Sequence, residues 1–195
     1  LHREAAVCCV PNAGRLLPTY AGYQWLAGEA AGRPQVLALL FGASVLRTEV
    51  DGVAVTITQE TGYAYLVGSN TCSTGLHIVN LANPTSPQFV ACYDDGGYIH
   101  ENQCFVYHGP DTAYTGHEIC LAARGSAHNL DILDVTNHAA PVRLDSLHYN
   151  SSGYSHQAWF TDDHRYILLN DELDEDGVAP TRTYIFDALD LDNLV

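Results

Sequence analysis

The sequence predicts an all-β fold, an incomplete β-propeller of about three four-stranded blades that follows an irregular N-terminal segment. From Gly52 onward, short runs of β-branched and aromatic residues alternate with turn residues, as is typical of antiparallel strands. Two different motifs recur with nearly the same period. Each period contains four strand-like runs, and a repeat of roughly 50 residues with four strands is typical of a propeller blade.

The period is visible in two motifs that recur independently. The segment Leu76–Val90, LHIVNLANPTSPQFV, recurs 54 residues later from Leu130 as LDILDVTNHAAPVRL, and Thr183–Asp187 begins a third copy. The segment Gly97–His100, GYIH, matches Gly153–His156, GYSH, 56 residues later. Two motifs with one period are hard to obtain by chance, although a β-sandwich with accidental self-similarity is the alternative.

The repeats predict the domain organisation. Residues 1–48 form an irregular segment of helix or loop, and residues 49–195 form the blades, at about 51–94, 95–150 and 151–195, the last without its outermost strand. The predicted strands are 53–58, 63–68, 75–81 and 88–93, then 99–107, 117–123, 129–135 and 141–149, then 156–161, 165–170 and 182–187. Known propellers need about four to eight blades to close. We therefore expect a fragment of a larger propeller, or a degraded blade within the N-terminal segment.

Composition excludes several classes of partner. The chain has 195 residues with 23 acidic and 8 basic side chains, a net charge of −15. Nucleic acids and anionic membranes are bound by clustered Lys and Arg, so we expect no nucleic-acid partner. The longest apolar stretch, residues 36–46, is about half of the roughly 20 residues that a membrane helix needs. We therefore expect no membrane insertion by this chain.

The cysteines favour an oxidising compartment. There are six, none with C-x-x-C spacing, and an even set favours disulfides over a zinc or redox site; buried free thiols are the alternative. Cys104 and Cys120 fall on adjacent predicted strands of one blade, and Cys72 and Cys92 flank the last two strands of the blade before. We predict these two disulfides and an extracellular or cell-surface location.

Several longer stretches resemble one known family. They are Gly62–Cys72 (GYAYLVGSNTC), Gly97–Cys104 (GYIHENQC), Tyr154–Tyr166 (YSHQAWFTDDHRY), Asp171–Glu175 and Thr181–Asp187. Over about residues 51–195 the chain resembles the choice-of-anchor B proteins, which are built from LVIVD repeats. The resemblance implies a secreted or surface-displayed β-propeller held by different anchors in different members, with no established reaction. The signal peptide and the anchor are expected outside this sequence.

The resemblance has two departures. Where the family's first blade is expected to carry Ala-His-Asn at the start of its inner strand, this chain has Gly52-Val53-Ala54. Residues 1–48 do not resemble the family. The missing histidine weakens the expectation of a functional histidine in every blade.

Two histidines are candidate channel-mouth residues. His100 and His156 enter the innermost strands of successive blades, so the repeat predicts that both point toward one end of the central channel. Together with Glu101, Gln103 or Gln157 they are suited to hold a transition metal, or one could act as a general base. The alternative is structural: each histidine hydrogen-bonds a neighbouring blade.

Tyrosine is frequent, with twelve residues in the chain. Tyr93, Tyr98, Tyr149 and Tyr154 lie beside the predicted blade junctions. Aromatic rings with a polar tip suit sugar or peptide recognition, and they are equally common in strands. We include Tyr98 and Tyr154 with the channel-mouth candidates.

An acidic loop is a candidate calcium site. Five carboxylates fall within six residues, those of Asp171, Glu172, Asp174, Glu175 and Asp176. Oxygen ligands at this density suit calcium, but Thr183 stands where an EF-hand needs a bidentate Glu. A solvated loop is the alternative, and Arg182 is close enough in sequence to pair with it.

The favoured function is a non-enzymatic extracellular scaffold that binds a glycan or a protein. Strong repeats occur without a Ser-His-Asp elbow, a phosphate loop or a dinucleotide fingerprint, which argues against common hydrolases and nucleotide enzymes. The alternative is a metal-assisted polysaccharide hydrolase or lyase with His100 and His156 at the channel mouth. Open blade edges also predict self-association of the chain.

Overall fold

The computed structural model describes the backbone of residues 45–50 and 53 and all of residues 54–83, 87–150, 152–175 and 180–194. The N-terminal segment before residue 45, with Cys8 and Cys9, lies outside the described residues. The described ranges contain twelve strands, one 3-10 turn and no α-helix. The strands are β1 Val45–Val50, β2 Val53–Thr58, β3 Tyr63–Val67, β4 Leu76–Asn80, β5 Gln88–Tyr93, β6 Glu101–Val106, β7 Glu118–Ala123, β8 Asn129–Asp134, β9 Val142–His148, β10 Ser155–Phe160, β11 Tyr166–Asp171 and β12 Thr183–Asp187.

The strands form three antiparallel sheets in which every neighbour is also the next strand along the chain. The orders are β1-β2-β3-β4-β5, β6-β7-β8-β9 and β10-β11-β12. The predicted all-β fold is confirmed, and each predicted strand matches an observed one to within two residues at either end. Short turns between consecutive runs explain this agreement, because antiparallel neighbours need only a few connecting residues.

The first sheet contains a strand that the sequence analysis did not expect. Residues up to 48 were predicted to be irregular, yet Val45–Val50 forms β1 and pairs with β2 in a register that joins Val50 to Val53. The residues between them in sequence are Asp51 and Gly52. An Asp-Gly pair between two apolar or β-branched runs is a strong hairpin signal, so β1 was predictable from the sequence.

The sheets pack face to face in chain order. Strands β2 and β3 contact β6, and strands β6, β7 and β8 contact β10. All six residues of β7 are buried. Ile119 and Leu121 join the core shared with the third sheet, while Cys120 and Ala122 join the core shared with the first. Since alternate residues of a strand face opposite sides, the second sheet is covered on both faces.

Both predicted disulfides are present. Cys104 and Cys120 are directly opposite each other on β6 and β7 and are fully buried. Cys72 and Cys92 join the 3-10 turn before β4 to strand β5. Each bond links neighbouring parts of one sheet, as the predicted strand order requires. Two such bonds favour an oxidising compartment.

The third sheet is shorter than the other two. It has three strands, with β12 at its edge, and none of the three sheets closes on itself within the described residues. That the last repeat is a propeller blade without its outermost strand stays a prediction. The face-to-face packing brings the start of β6 close to β10, and this junction holds the candidate site.

Candidate functional site

Two histidines from successive sheets meet where β6 packs against β10. His100 directly precedes β6, and its backbone N–H donates to the carbonyl oxygen of Ala123 at 2.8 Å. His156 is the second residue of β10. Their ring centroids are 4.8 Å apart, with the ring planes inclined by 52°. The structure therefore brings together the two side chains that the repeat predicted to converge.

The two predicted tyrosines lie against His100. The Nδ1 atom of His100 is 2.8 Å from the hydroxyl oxygen of Tyr98 and 3.2 Å from that of Tyr154. The Tyr154 ring also contacts the imidazole edge to face, with centroids 5.1 Å apart. Tyr98 is exposed over 36% of its surface. The result is a partly open cluster of four rings, which we call the histidine–tyrosine cluster: Tyr98, His100, Tyr154 and His156.

Glu172 joins this cluster, although the sequence analysis placed it in a calcium loop. The register of β10 and β11 pairs Ser155 with Asp171, so the next residue emerges beside the start of β10. The backbone N–H of Glu172 donates to the carbonyl oxygen of Tyr154 at 3.0 Å. Its Oε2 atom lies 3.9 Å from Nε2 of His156. The pairing of β10 with β11 in a hairpin is the feature from which the contact between Glu172 and His156 could have been predicted.

The three side chains bring potential metal ligands together. One ligand atom each from His100, His156 and Glu172 lies within 4.8 Å of the other two. Among the described residues, this is the one group of three or more His, Cys, Asp or Glu side chains with ligand atoms that close. The imidazoles are half-buried and the carboxylate is exposed, so the site is open to solvent.

The other two channel-mouth candidates are placed differently. Glu101 is buried at the start of β6 with 3% of its surface exposed, and it is not in the group of close ligand atoms. Gln157 is half-buried beside His156, where the pairing of β10 with β11 shifts register. Gln103 accepts a hydrogen bond from the backbone N–H of Phe160 at 3.1 Å, which links the second and third sheets.

Asp171 of the predicted calcium loop has a structural role. Its buried carboxylate accepts hydrogen bonds from the Tyr149 hydroxyl and from the backbone N–H groups of Gly153, Tyr154 and Leu173, at 2.7 to 2.9 Å. Burial alone would raise the pKa of this carboxyl, but these hydrogen bonds outweigh burial and lower the pKa below its usual value. The carboxylate therefore fixes the segment that carries Tyr154 to the segment that carries Glu172.

Asp174 is also engaged inside the protein. It is buried and accepts from the backbone N–H of Arg182 at 3.1 Å, from the Arg182 guanidinium at 3.2 Å and from the Tyr184 hydroxyl at 2.8 Å. The predicted pairing of Arg182 with the loop is thus present. The structure divides the predicted calcium ligands, because Asp171 and Asp174 are bonded to internal donors and Glu172 lies beside His156. Glu175 is exposed, Asp176 lies outside the described residues, and calcium binding there stays a prediction.

A second polar cluster, between the first and second sheets, was missed by the sequence analysis. The buried Glu118 carboxylate bonds Nε2 of His138 at 2.8 Å and accepts from the Thr61 hydroxyl at 2.9 Å. The Tyr63 ring stacks on His138 with centroids 3.5 Å apart. Burial, followed by the nearby Glu118 charge, raises the pKa of Tyr65. These contacts link the first sheet to the second. No motif or spacing in the sequence predicts them.

No protein-family model matches the chain, and no curated protein is significantly similar to it. Within the described residues, no helix has the length and apolar character needed to cross a membrane. The fold and the site therefore rest on the sequence motifs and on the geometry described above.

Proposed function

We propose that this chain is part of a secreted or cell-surface β-propeller of the LVIVD-repeat, choice-of-anchor B type and serves as a non-enzymatic binding scaffold. Three antiparallel sheets of similar strand order, packed face to face in chain order, support a blade arrangement. Two disulfides support an oxidising, extracellular compartment. The function follows from the surface at the junction of the second and third sheets.

The observation that carries the proposal is the histidine–tyrosine cluster. Equivalent positions of two repeats contribute two tyrosines and two histidines to one partly exposed surface. Aromatic faces cover the apolar faces of sugar rings, and phenol and imidazole groups bond sugar hydroxyls. A glycan therefore fits this surface better than a protein partner, because a standard protein interface covers about 800 Å² on each partner.

The test is direct binding of the full 195-residue chain to an array of extracellular and microbial-surface oligosaccharides. For the best oligosaccharide, Tyr98→Ala should weaken binding roughly 5- to 30-fold, because one aromatic contact contributes on the order of 1–2 kcal/mol. Tyr166→Ala is the matched control, since Tyr166 is 41% exposed at the start of β11. Equal binding by Tyr98→Ala and the wild-type chain would place the ligand elsewhere.

The alternative function, a metal-assisted polysaccharide hydrolase or lyase, predicts turnover of the bound oligosaccharide. New reducing ends or unsaturated products that disappear in His156→Ala would favour the enzyme. Unchanged oligosaccharide after prolonged incubation would favour the scaffold. A protein partner captured through the same cluster, with no oligosaccharide bound, would replace the glycan in this proposal.

A further inference from the structure

We infer that His100, His156 and Glu172 form a binding site for one divalent transition-metal ion, with zinc as the best match. Two imidazole nitrogens and one carboxylate oxygen are a ligand set that proteins use for zinc and similar ions. The inference adds a metal to the surface proposed above for a glycan. It does not require that a glycan bind there.

The distances fit one ion. Zinc lies about 2.0–2.2 Å from nitrogen and oxygen ligands, so two of its ligands are at most about 4.3 Å apart. The 3.9 Å between Nε2 of His156 and Oε2 of Glu172 is inside this limit. The three ligand atoms lie within 4.8 Å of one another. Where a pair of ligand atoms is wider apart than this limit, binding requires the partly exposed side chains to rotate toward the ion.

Two other histidine–carboxylate pairs lack this gap. Nδ1 of His117 is 2.7 Å from Asp134, and Nε2 of His138 is 2.8 Å from Glu118. At these distances the two groups are hydrogen-bonded to each other. The 3.9 Å separation at His156 exceeds a hydrogen bond and is within the largest spacing that two ligands of one zinc ion can have.

The surroundings position the ligands. Metal-bound histidines usually have their second ring nitrogen hydrogen-bonded to a neighbouring group, which sets the ring orientation. In His100, Nδ1 contacts the hydroxyls of Tyr98 and Tyr154. The tautomer with Nδ1 protonated donates to these oxygens and presents the Nε2 lone pair for a metal. Glu172 is held by its backbone hydrogen bond to Tyr154.

The location also predicts a stabilising effect of the metal. His100 precedes the first strand of the second sheet, whereas His156 and Glu172 belong to the third. An ion bound by all three residues would therefore link the second sheet to the third. It would bind to the folded chain only. The net charge of −15 further favours cation binding. Three protein ligands leave at least one position of a four-coordinate ion open to water.

The test is a zinc titration of the full chain, freed of metal with a chelator, by calorimetry and by thermal unfolding. We expect one zinc ion per chain and a rise in melting temperature with zinc concentration. Glu172→Gln and His156→Ala should each weaken zinc affinity at least about tenfold. Glu172 is 53% exposed, so Glu172→Gln should fold normally even where His156→Ala does not. His148→Ala is the control, because His148 is exposed on β9.

Each outcome decides the inference. Stoichiometric zinc in the wild-type and His148→Ala chains, lost in Glu172→Gln, supports it. Absence of zinc binding, or equal affinity in Glu172→Gln and wild type, overturns it. The titration contains no glycan, so failure to find an oligosaccharide leaves the metal result intact. Oligosaccharide binding repeated after chelation tests the glycan proposal separately.

Discussion

At the residue scale, two aspartates of the acidic loop, Asp171 and Asp174, are bonded to donors inside the protein. Asp171 accepts four hydrogen bonds, and Asp174 accepts from Arg182 and Tyr184. A buried carboxylate is retained at low cost only when its oxygens are bonded in this way. The bonds of Asp171 hold the segments of Tyr154 and Glu172 together beside the histidines, whereas those of Asp174 fix the loop to Arg182 and Tyr184.

His164, in the turn between β10 and β11, is a second residue whose environment controls its chemistry. It is 9% exposed, and its ring lies 4.6 Å from that of Phe105 and 3.8 Å from that of His108. Burial, followed by the charge of His108, lowers its pKa to about 4, although Asp163 and Asp162 act in the opposite direction. Its Nδ1 accepts the backbone N–H of His108 at 3.2 Å, which requires an unprotonated Nδ1.

This lowered pKa predicts acid destabilisation. Between about pH 6.5 and about pH 4 the unfolded chain protonates His164 while the folded chain does not, so the free energy of unfolding falls as pH falls, by at most about 3 kcal/mol. Above that interval the stabilisation is fully present. Urea unfolding across the interval should show a weaker pH dependence in His164→Asn, because Asn tolerates the positive φ of 52°. Identical pH dependence in both chains would contradict the assignment.

At the element scale, strand pairing determines the accessibility of the two disulfides. Cys104 and Cys120 are central in β6 and β7 and have no exposed surface. Cys92 lies on the outer strand β5 and is exposed, and its partner Cys72 is half-buried in the turn before β4. Reductants reach the outer bond far more readily than the inner one.

Stepwise reduction should therefore separate the two bonds. Under native conditions with increasing dithiothreitol, we expect Cys72 and Cys92 to become alkylated first, while Cys104 and Cys120 react only as the protein unfolds. Mass spectrometry of alkylated peptides distinguishes them. Unfolding in denaturant before reduction is the control and should remove the difference. Simultaneous labelling of all four cysteines in the folded chain would contradict the burial of the inner pair.

At the scale of the whole molecule, β12 is an edge strand of the third sheet, with no further strand beside it among the described residues. Ile185 on this strand is 65% exposed, and an edge strand with exposed apolar side chains tends to pair with other strands. The corresponding outer strands of the first and second sheets are β5 and β9. The chain is therefore expected to self-associate through β12.

Light scattering of the 195-residue chain tests this expectation. Ile185→Lys should shift the distribution toward monomer, because a charged side chain on an edge strand opposes strand addition. Leu189→Lys is a matched control, since Leu189 is 54% exposed just beyond the strand. A wild-type chain that is monodisperse and monomeric would show that the edge is covered in solution.

The sequence alone determined the features that depend on neighbours along the chain. Strand positions follow from apolar and β-branched runs divided by turns, and the two disulfides follow from which strands are adjacent. The approach of His100 to His156 follows from the repeat, because equivalent residues of packed repeats lie near one another. The strand at Val45–Val50 was also within reach of the sequence, through the Asp51-Gly52 turn signal.

Only the tertiary structure decided which polar groups meet across the sheets. Glu172 lies beside His156 because the β10–β11 register brings it there. Asp171 and Asp174 differ from Glu172 because they are buried, and buried carboxylates are hydrogen-bonded to donors within the protein. In the sequence, all three are acidic residues of one loop and look equivalent. Their distinct roles arise from burial and from donors up to about twenty positions away in the chain, which the pattern of residues does not encode locally.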